Sequence, residues 1–397
     1  MEQDVATEPS WENPVGFRDP EIVRLSAADH RIEVLSSGKD RLRALMDMIE
    51  GAQDTLRLAF YIFDRDDTGR RVLDALVAAA ERGVDVRLIV DGFGAGGDAT
   101  QFRPLVKAGG KFWLFSPKWT RRFLIRNHQK IVIADGERAL VGGYNVGDDY
   151  FEPPELNGWN DLGITIEGPA LGQLERWFDK LEGWVSSRKA QWLAIRRAVR
   201  DWDAGEGPLR VLIGGPTAVL SSWARSVRRD LESANRLDMM MAYFSPSNGL
   251  MRRIAAVGQR GKARLITAGK SDNGATIGAT RSLYRYLLDH NVEIAEFAAC
   301  KLHTKLIVID DVTYIGSANF DMRSLYLNLE IMVRIEDAGL ADRMRAHIDR
   351  HWAVSEPITP EAHRRKATLF NRIRWNLAWF LVSVVDYTVS RRLNLGL

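Results

Sequence analysis

The sequence predicts an α/β protein built from two copies of one lobe, and three observations predict it. Short apolar runs of strand length alternate with helical runs along the chain, the pattern of sheets with helices packed on their faces. The tract HQKIVIAD, His128 to Asp135, returns as HTKLIVID, His303 to Asp310, 175 residues later. The likeness continues on both sides of each tract. A period this long marks duplication of a domain, not a solenoid repeat.

The 397 residues suffice for two domains with ample core. A composition of 46% hydrophobic and 27% charged residues is globular, and a net charge of +3 does not by itself imply a nucleic-acid partner. The single cysteine, Cys300, excludes an intrachain disulfide framework. It fits a reducing compartment and reads as a small buried residue.

In chain order, residues 1–30 are expected to form a polar, acidic tail without a secretory or membrane-spanning segment. Residues 31–200 form the first lobe and 201–365 the second, with the joint near Asp201 to Arg210. Each lobe opens with strand, loop, amphipathic helix, Arg-Gly break and strand. These are LRLAF through LIVDG in the first copy and LDMMM through RLIT in the second. Tyr61 answers Tyr243, and Arg82-Gly83 answers Arg260-Gly261, each glycine being expected to end its helix in a left-handed conformation. After the repeated tract, each lobe reaches an apolar strand, LGITIEG or LEIMVRIED, and a closing helix.

Within the tract, a strand places His128 and Lys130 on one face, and likewise His303 and Lys305. Asp135 and Asp310 stand at an odd offset from their histidines, so they are expected to hold strand ends or loops. A Gly-rich bend and an asparagine follow, Gly142-Gly143 with Asn145 and Gly316-Ser317 with Asn319. A hairpin is expected to return each asparagine beside its own His-Lys pair. Imidazole, ammonium, amide and backbone N–H groups suit a phosphate oxyanion and leave the imidazole free for bond-making. Asp161 and Glu330, at the starts of the next strands, are expected to orient the rings by accepting a hydrogen bond from one ring nitrogen. His347 and His351 have the spacing of a metal pair, but read as a polar surface helix without a third ligand. No dedicated metal site, phosphate-binding Walker loop or nucleophile elbow is evident.

The duplicated His-x-Lys-x4-Asp pattern resembles the signature of the phospholipase D superfamily. FYIFDRDDTGRR, VGGYNVGDDY and WNDLGITIEGPAL look most like bacterial cardiolipin synthases. The resemblance implies two phospholipase D-like lobes, each a mixed sheet flanked by helices, related by a pseudo-twofold and sharing one active-site cleft. It implies His128, Lys130, Asp135, His303, Lys305 and Asp310 as the catalytic set. Asn145, Ser317, Asn319, Glu330 and Asp161 bind phosphate or orient the histidines. One histidine forms a phosphohistidine and the other serves as acid and base, with His128 expected as nucleophile. No metal or other cofactor is implied. Three positions depart from the pattern: Gly143 opposite Ser317, Gln129 where synthases often carry Arg, and Ser247 where the second half often carries Asp.

The implied substrates are membrane phospholipids: phosphatidylglycerol, with phosphatidylethanolamine as an alternative. The implied place is the cytoplasmic face of the cell membrane, as a peripheral protein with no nucleic-acid partner. A hydrolase yielding phosphatidic acid, a nuclease, and a non-catalytic binder of anionic lipid remain alternatives. Lys111 to Lys130 interleaves aromatic and basic residues and suits either a nucleic-acid strand or a bilayer interface. Residues 366–397 are expected to form an amphipathic helix, either lying among lipid headgroups or docked on the protein.

Overall fold

A computed structural model describes residues 16–27, 29–96, 99–116, 125–187, 192–217, 219–271 and 274–381. The first sheet contains β1 (Val23–Ala27), β2 (His30–Leu35), β3 (Thr55–Phe60), β4 (Asp85–Asp91), β5 (Lys111–Phe115), β6 (Ile131–Ala134), β7 (Arg138–Gly142) and β8 (Gly163–Glu167). The second contains β9 (Leu209–Gly214), β10 (Arg236–Met241), β12 (Lys262–Ala268), β13 (Val292–Phe297), β14 (Lys305–Ile309), β15 (Val312–Gly316), β17 (Glu330–Glu336) and β18 (Glu356–Pro357). The short strands β11 (Phe244–Ser245) and β16 (Phe320–Asp321) pair with each other.

The two sheets repeat one strand order. In the first, β2-β8-β7-β6-β3-β4-β5 run side by side, and in the second β9-β17-β15-β14-β10-β12-β13. In each, a parallel trio meets an antiparallel hairpin. β3 pairs parallel with β4 and antiparallel with β6, as β10 does with β12 and β14. The parallel pairs are joined through the helices Asp67–Glu81 and Asn248–Arg260, as crossover connections require. The first of these is started by Asp66, whose carboxylate accepts the N–H of Gly69.

Period-2 alternation divides the core. On β3, Leu58 and Phe60 face a cluster belonging to the first lobe, while Ala59 faces a cluster shared by both lobes. On β10, Met239 faces the second lobe's own cluster and Met240 the shared one. The shared layer includes Trp177 and Leu174 of the helix Leu171–Ser186, and Met344 and Ile348 of the helix Ala338–Ala353. The inner faces of the two sheets therefore meet across a common apolar layer, which fixes the lobes against each other.

Three expectations are corrected. The histidines of the repeated tract lie just ahead of β6 and β14, not inside them, because their backbones bond to the opposite lobe. Gly83 has the expected positive φ of 96°, but Gly261 does not. A Cβ at Gly261 would stand 2.0 Å from the carbonyl oxygen of Asn235, so close approach demands glycine there. His347 and His351 are buried rather than on a surface, their rings 4.4 Å apart, with His351 against Phe17 and Phe297. Burial holds both imidazoles below the usual histidine range, His351 at about 4. The C-terminal helix begins at Leu369 and docks through one side, and residues 382–397 lie outside the described chain.

Candidate active site

Each tract is anchored by its hairpin turn and aimed by the other lobe. Asp135 and Asp310 sit in the left-handed region, with φ of 52° and 44°, in the turns that follow β6 and β14. Asp135 accepts the N–H groups of Gln53, Asp54 and Thr55, and Asp310 those of Asn235 and Arg236. Each carboxylate thus fastens its hairpin to the neighbouring parallel strand. The backbone bonds hold Asp135 below the ordinary carboxylate range against the opposing effect of burial.

At the other end of each strand the chain crosses to its counterpart. The N–H of His128 donates to the carbonyl of Leu329 at 2.9 Å, and the N–H of Leu329 donates to Arg126. The N–H of His303 donates to the carbonyl of Asn160 at 2.8 Å, and the N–H of Asn160 donates to Lys301. These short parallel bridges set each histidine beside the residue that follows the bridge in the opposite lobe. His128 Nδ1 lies 3.1 Å from Glu330 Oε2, and His303 Nδ1 lies 2.6 Å from Asp161 Oδ2. The carboxylates therefore serve the histidines crosswise.

A carboxylate against Nδ1 leaves Nε2 of a neutral ring as the free lone pair. Glu330 is fully buried, and its Oε2 also accepts the hydroxyl of Ser317. Asp161 is held by the N–H of Leu162, and a Cβ on Gly143 would stand only 2.4 Å from its Oδ1. Glycine is required there because the shorter acid must come closer to its ring.

Lys130 and Lys305 are buried, and each ammonium donates to the carbonyl of its own motif histidine. Lys305 Nζ also stands 2.7 Å from His303 Nδ1. Burial, partly offset by Glu330 and Asp161, brings Lys130 down to about 7 and Lys305 to about 8. The ammonium of Lys305 also depresses Lys130. Burial lowers both histidines, with His303 at about 4. Burial would raise Asp161, but Lys305 and His303 more than offset it and keep the carboxylate charged. Two lysines, two imidazoles and two acids thus form one electrostatic unit.

Asn145 is buried, with both ends of its amide bonded. Its Oδ1 accepts the N–H of Ile62 and its Nδ2 donates to the Tyr150 hydroxyl, whose ring stands 5.6 Å edge-on to His303. Asn145 is therefore built into the surroundings of the opposite lobe's histidine. Asn319 is buried with its Oδ1 lacking a hydrogen-bond partner.

Several contributors were given no role in the site from sequence. Trp159 packs 5.2 Å from His303, and Tyr61 lies 5.0 Å from His128 and 5.5 Å from Lys130 Nζ. Arg41 is fully buried and donates to the carbonyls of Ser36, Tyr150, Trp159 and Asp161. One guanidinium thereby holds the loop that brings Tyr150, Trp159 and Asp161 to His303. Gln129 donates to the carbonyl of Glu330 and accepts the indole N–H of Trp177. It is a cross-lobe strut rather than a group facing substrate. The only advance sign of the aromatic pair was the position of Trp159 two residues before Asp161.

The fold and these paired half-sites define a phospholipase D-type architecture, and the chain belongs to the family described as "Cardiolipin synthase, PLD-like domain", whose profile matches residues 45–182 and 227–352. Among its relatives, cardiolipin synthase 1 of Staphylococcus epidermidis is 28% identical over 349 residues, spanning 85% of this chain and 71% of that protein. The major cardiolipin synthase ClsA of Bacillus subtilis is 28% identical over 90% of this chain and 76% of its own length. Cardiolipin synthase 1 of Bacillus cereus is 30% identical over 84% and 69%. The crystal structure of a phosphatidylserine synthase from Haemophilus influenzae superposes with a TM-score of 0.72 at 13% identity, covering 96% of this chain and 97% of that one. At that identity the likeness is one of fold.

Proposed function

We propose that this chain is a phospholipase D-type phosphatidyltransferase that makes cardiolipin from two phospholipids through a phosphohistidine. The observation that carries the mechanism is the crosswise pairing of each motif histidine with an acid of the other lobe, beside two buried ammoniums. His128 Nε2 attacks phosphorus while the bond from phosphorus to the departing alcohol oxygen breaks and His303 gives that oxygen a proton. His303 then removes a proton from the incoming hydroxyl, whose oxygen attacks phosphorus as the P–N bond to His128 breaks. The covalent stage divides one difficult displacement into two easier ones.

The closer contact supports this division of labour. The acid-base group must carry a second proton through part of the cycle, and a carboxylate at 2.6 Å stabilises an imidazolium more than one at 3.1 Å. Burial, and after it Lys305, opposes that protonation in the free protein. A phosphodiester arriving between the lysines offsets their charge and so favours the protonated ring.

The substrates in this reading are phosphatidylglycerol as donor and acceptor, with phosphatidylethanolamine as a second partner lipid, met at the cytoplasmic face of the membrane. No described helix is long and apolar enough to cross a bilayer. The test is to incubate purified protein with phosphatidylglycerol, with and without phosphatidylethanolamine, and resolve the lipids. A double-headed lipid is expected. Phosphatidic acid alone would make the protein a hydrolase, and DNA cleavage without lipid turnover would make it a nuclease.

A further inference from the structure

The helix Leu369–Trp379 and the turn beyond it divide sharply into two faces. At 100° per residue, Trp375 and Ala378 share one side, and both pack against the helix Gly274–Leu288 at Gly278. A Cβ on Gly278 would come 3.1 Å from the Ala378 methyl, so a small residue lets the helices approach. The opposite side gathers Leu369, Phe370, Ile373, Leu377, Phe380 and Leu381 into an arc of about 120°. All six are exposed, Leu369 and Phe370 by more than 70%. No other described segment exposes large apolar residues in such number.

Cations flank this arc. Arg372 and Arg374 lie on its two borders, and Arg364, Arg365 and Lys366 precede it in the helix Pro360–Lys366. Arg364 and Lys366 have acidic neighbours in Glu361 and Glu356. Among the described residues, no carboxylate pairs with Arg365, Arg372 or Arg374. Arg372 also borders a cavity of about 420 Å³ lined by Arg281, Arg285, Arg364 and His363.

We propose that this arc is a docking surface for an anionic phospholipid bilayer. The helix holds the protein through Trp375 and Ala378 and sinks its other side among acyl chains, with the arginines at headgroup level. Sidedness argues for lipid: an apolar strip bordered by unpaired cations matches a layer that is apolar inside and anionic at its surface. The identity of the occupant rests on the lipid-substrate reading above. The surface itself stands on this helix and not on the histidine site, so the two are separable.

The test floats full-length protein with vesicles of phosphatidylglycerol and phosphatidylcholine, and with phosphatidylcholine alone. Flotation with the mixed vesicles is expected, weakening in high salt. The exposed-face variant Phe370→Glu/Ile373→Glu/Leu377→Glu is expected to bind them at least about tenfold more weakly. The variant Arg372→Ala/Arg374→Ala is expected to lose about fivefold per cation, on mixed vesicles only. Both should keep wild-type thermal unfolding and wild-type turnover of lipid in detergent micelles. Vesicle binding by the triple variant equal to wild type overturns the proposal. So does a lower molecular mass in solution for that variant than for the wild type without loss of flotation, which would make the arc a contact between two copies. Lost flotation with normal micellar turnover supports the surface. Normal flotation with no lipid turnover at all would sink the enzymatic reading and leave the surface standing.

Discussion

The two half-sites follow one plan and differ in how tightly each acid is held. Around His303, Asp161 reaches the ring at 2.6 Å, over a glycine that leaves no space for a Cβ. Around His128, the acid is one methylene longer, the contact is 3.1 Å, and the Ser317 hydroxyl fills the place that Gly143 leaves open. Duplication preserved the layout while the pair drifted apart chemically, one half close and strongly coupled, the other looser and hydroxyl-braced. A reaction that asks one imidazole to bond to phosphorus and the other to carry a proton gives that divergence a use.

The comparison breaks most visibly at the rings. Replacing either histidine by alanine is expected to cut lipid turnover by about 10⁴-fold or more. A phosphodiester with an aryl leaving group needs no acid for its departure. With it, His303→Ala should still form labelled phosphoenzyme and His128→Ala should not, as read by acid-quenched label and peptide mapping. Label on the His128→Ala protein would exchange the two roles.

Next come the acids. Gly143→Ser pushes a Cβ into Asp161, so it should lower kcat by about 100-fold, close to Asp161→Asn. Ser317→Ala, its counterpart, removes one hydroxyl and should cost about tenfold. Equal losses in steady-state assays would erase the distinction between a close half and a loose one. Arg41→Met leaves four buried carbonyls without their donor and should destabilise the protein by about 3 kcal/mol in denaturant unfolding. Its residual activity should fall through the His303 side.

The last effect is in pH. Lys130 and Lys305, lowered to about 7 and about 8, are ammoniums below those values and lose their protons as pH rises through them. The value of kcat/KM reports the free enzyme, so it should decline by about tenfold or more between about pH 7 and 9. A profile flat to pH 9 would show that the buried amines keep their charge.

Much of this was legible in the sequence. Alternating apolar runs and a repeat with matching glycines predict two like sheets, because side-chain period and turn chemistry are local properties. His128, Lys130, His303 and Lys305 stand out because polar groups inside apolar runs are rare. The crossing was not legible: 202 residues separate His128 from Glu330, and 142 separate Asp161 from His303. Nothing local distinguishes an acid serving its own lobe from one serving the other. Arg41 was invisible for a related reason. It sits in the helix Gly38–Gly51 among ordinary charged residues, and only the fold shows that its guanidinium points inward to four carbonyls. The surface reading of His347 and His351 failed because their neighbours in sequence are polar, whereas the ring of His351 packs on Phe17 and Phe297 and that of His347 on His351.

Because the acids are exchanged between lobes, neither half of the polypeptide owns a complete reaction centre. Severing the chain in the connection before Leu209 would yield two fragments, each holding an imidazole stripped of its carboxylate. Only re-association would restore both at once. Descent is constrained in the same way: a change at position 161 is judged by the ring at 303, and one at 330 by the ring at 128, so the two copies can diverge only in step.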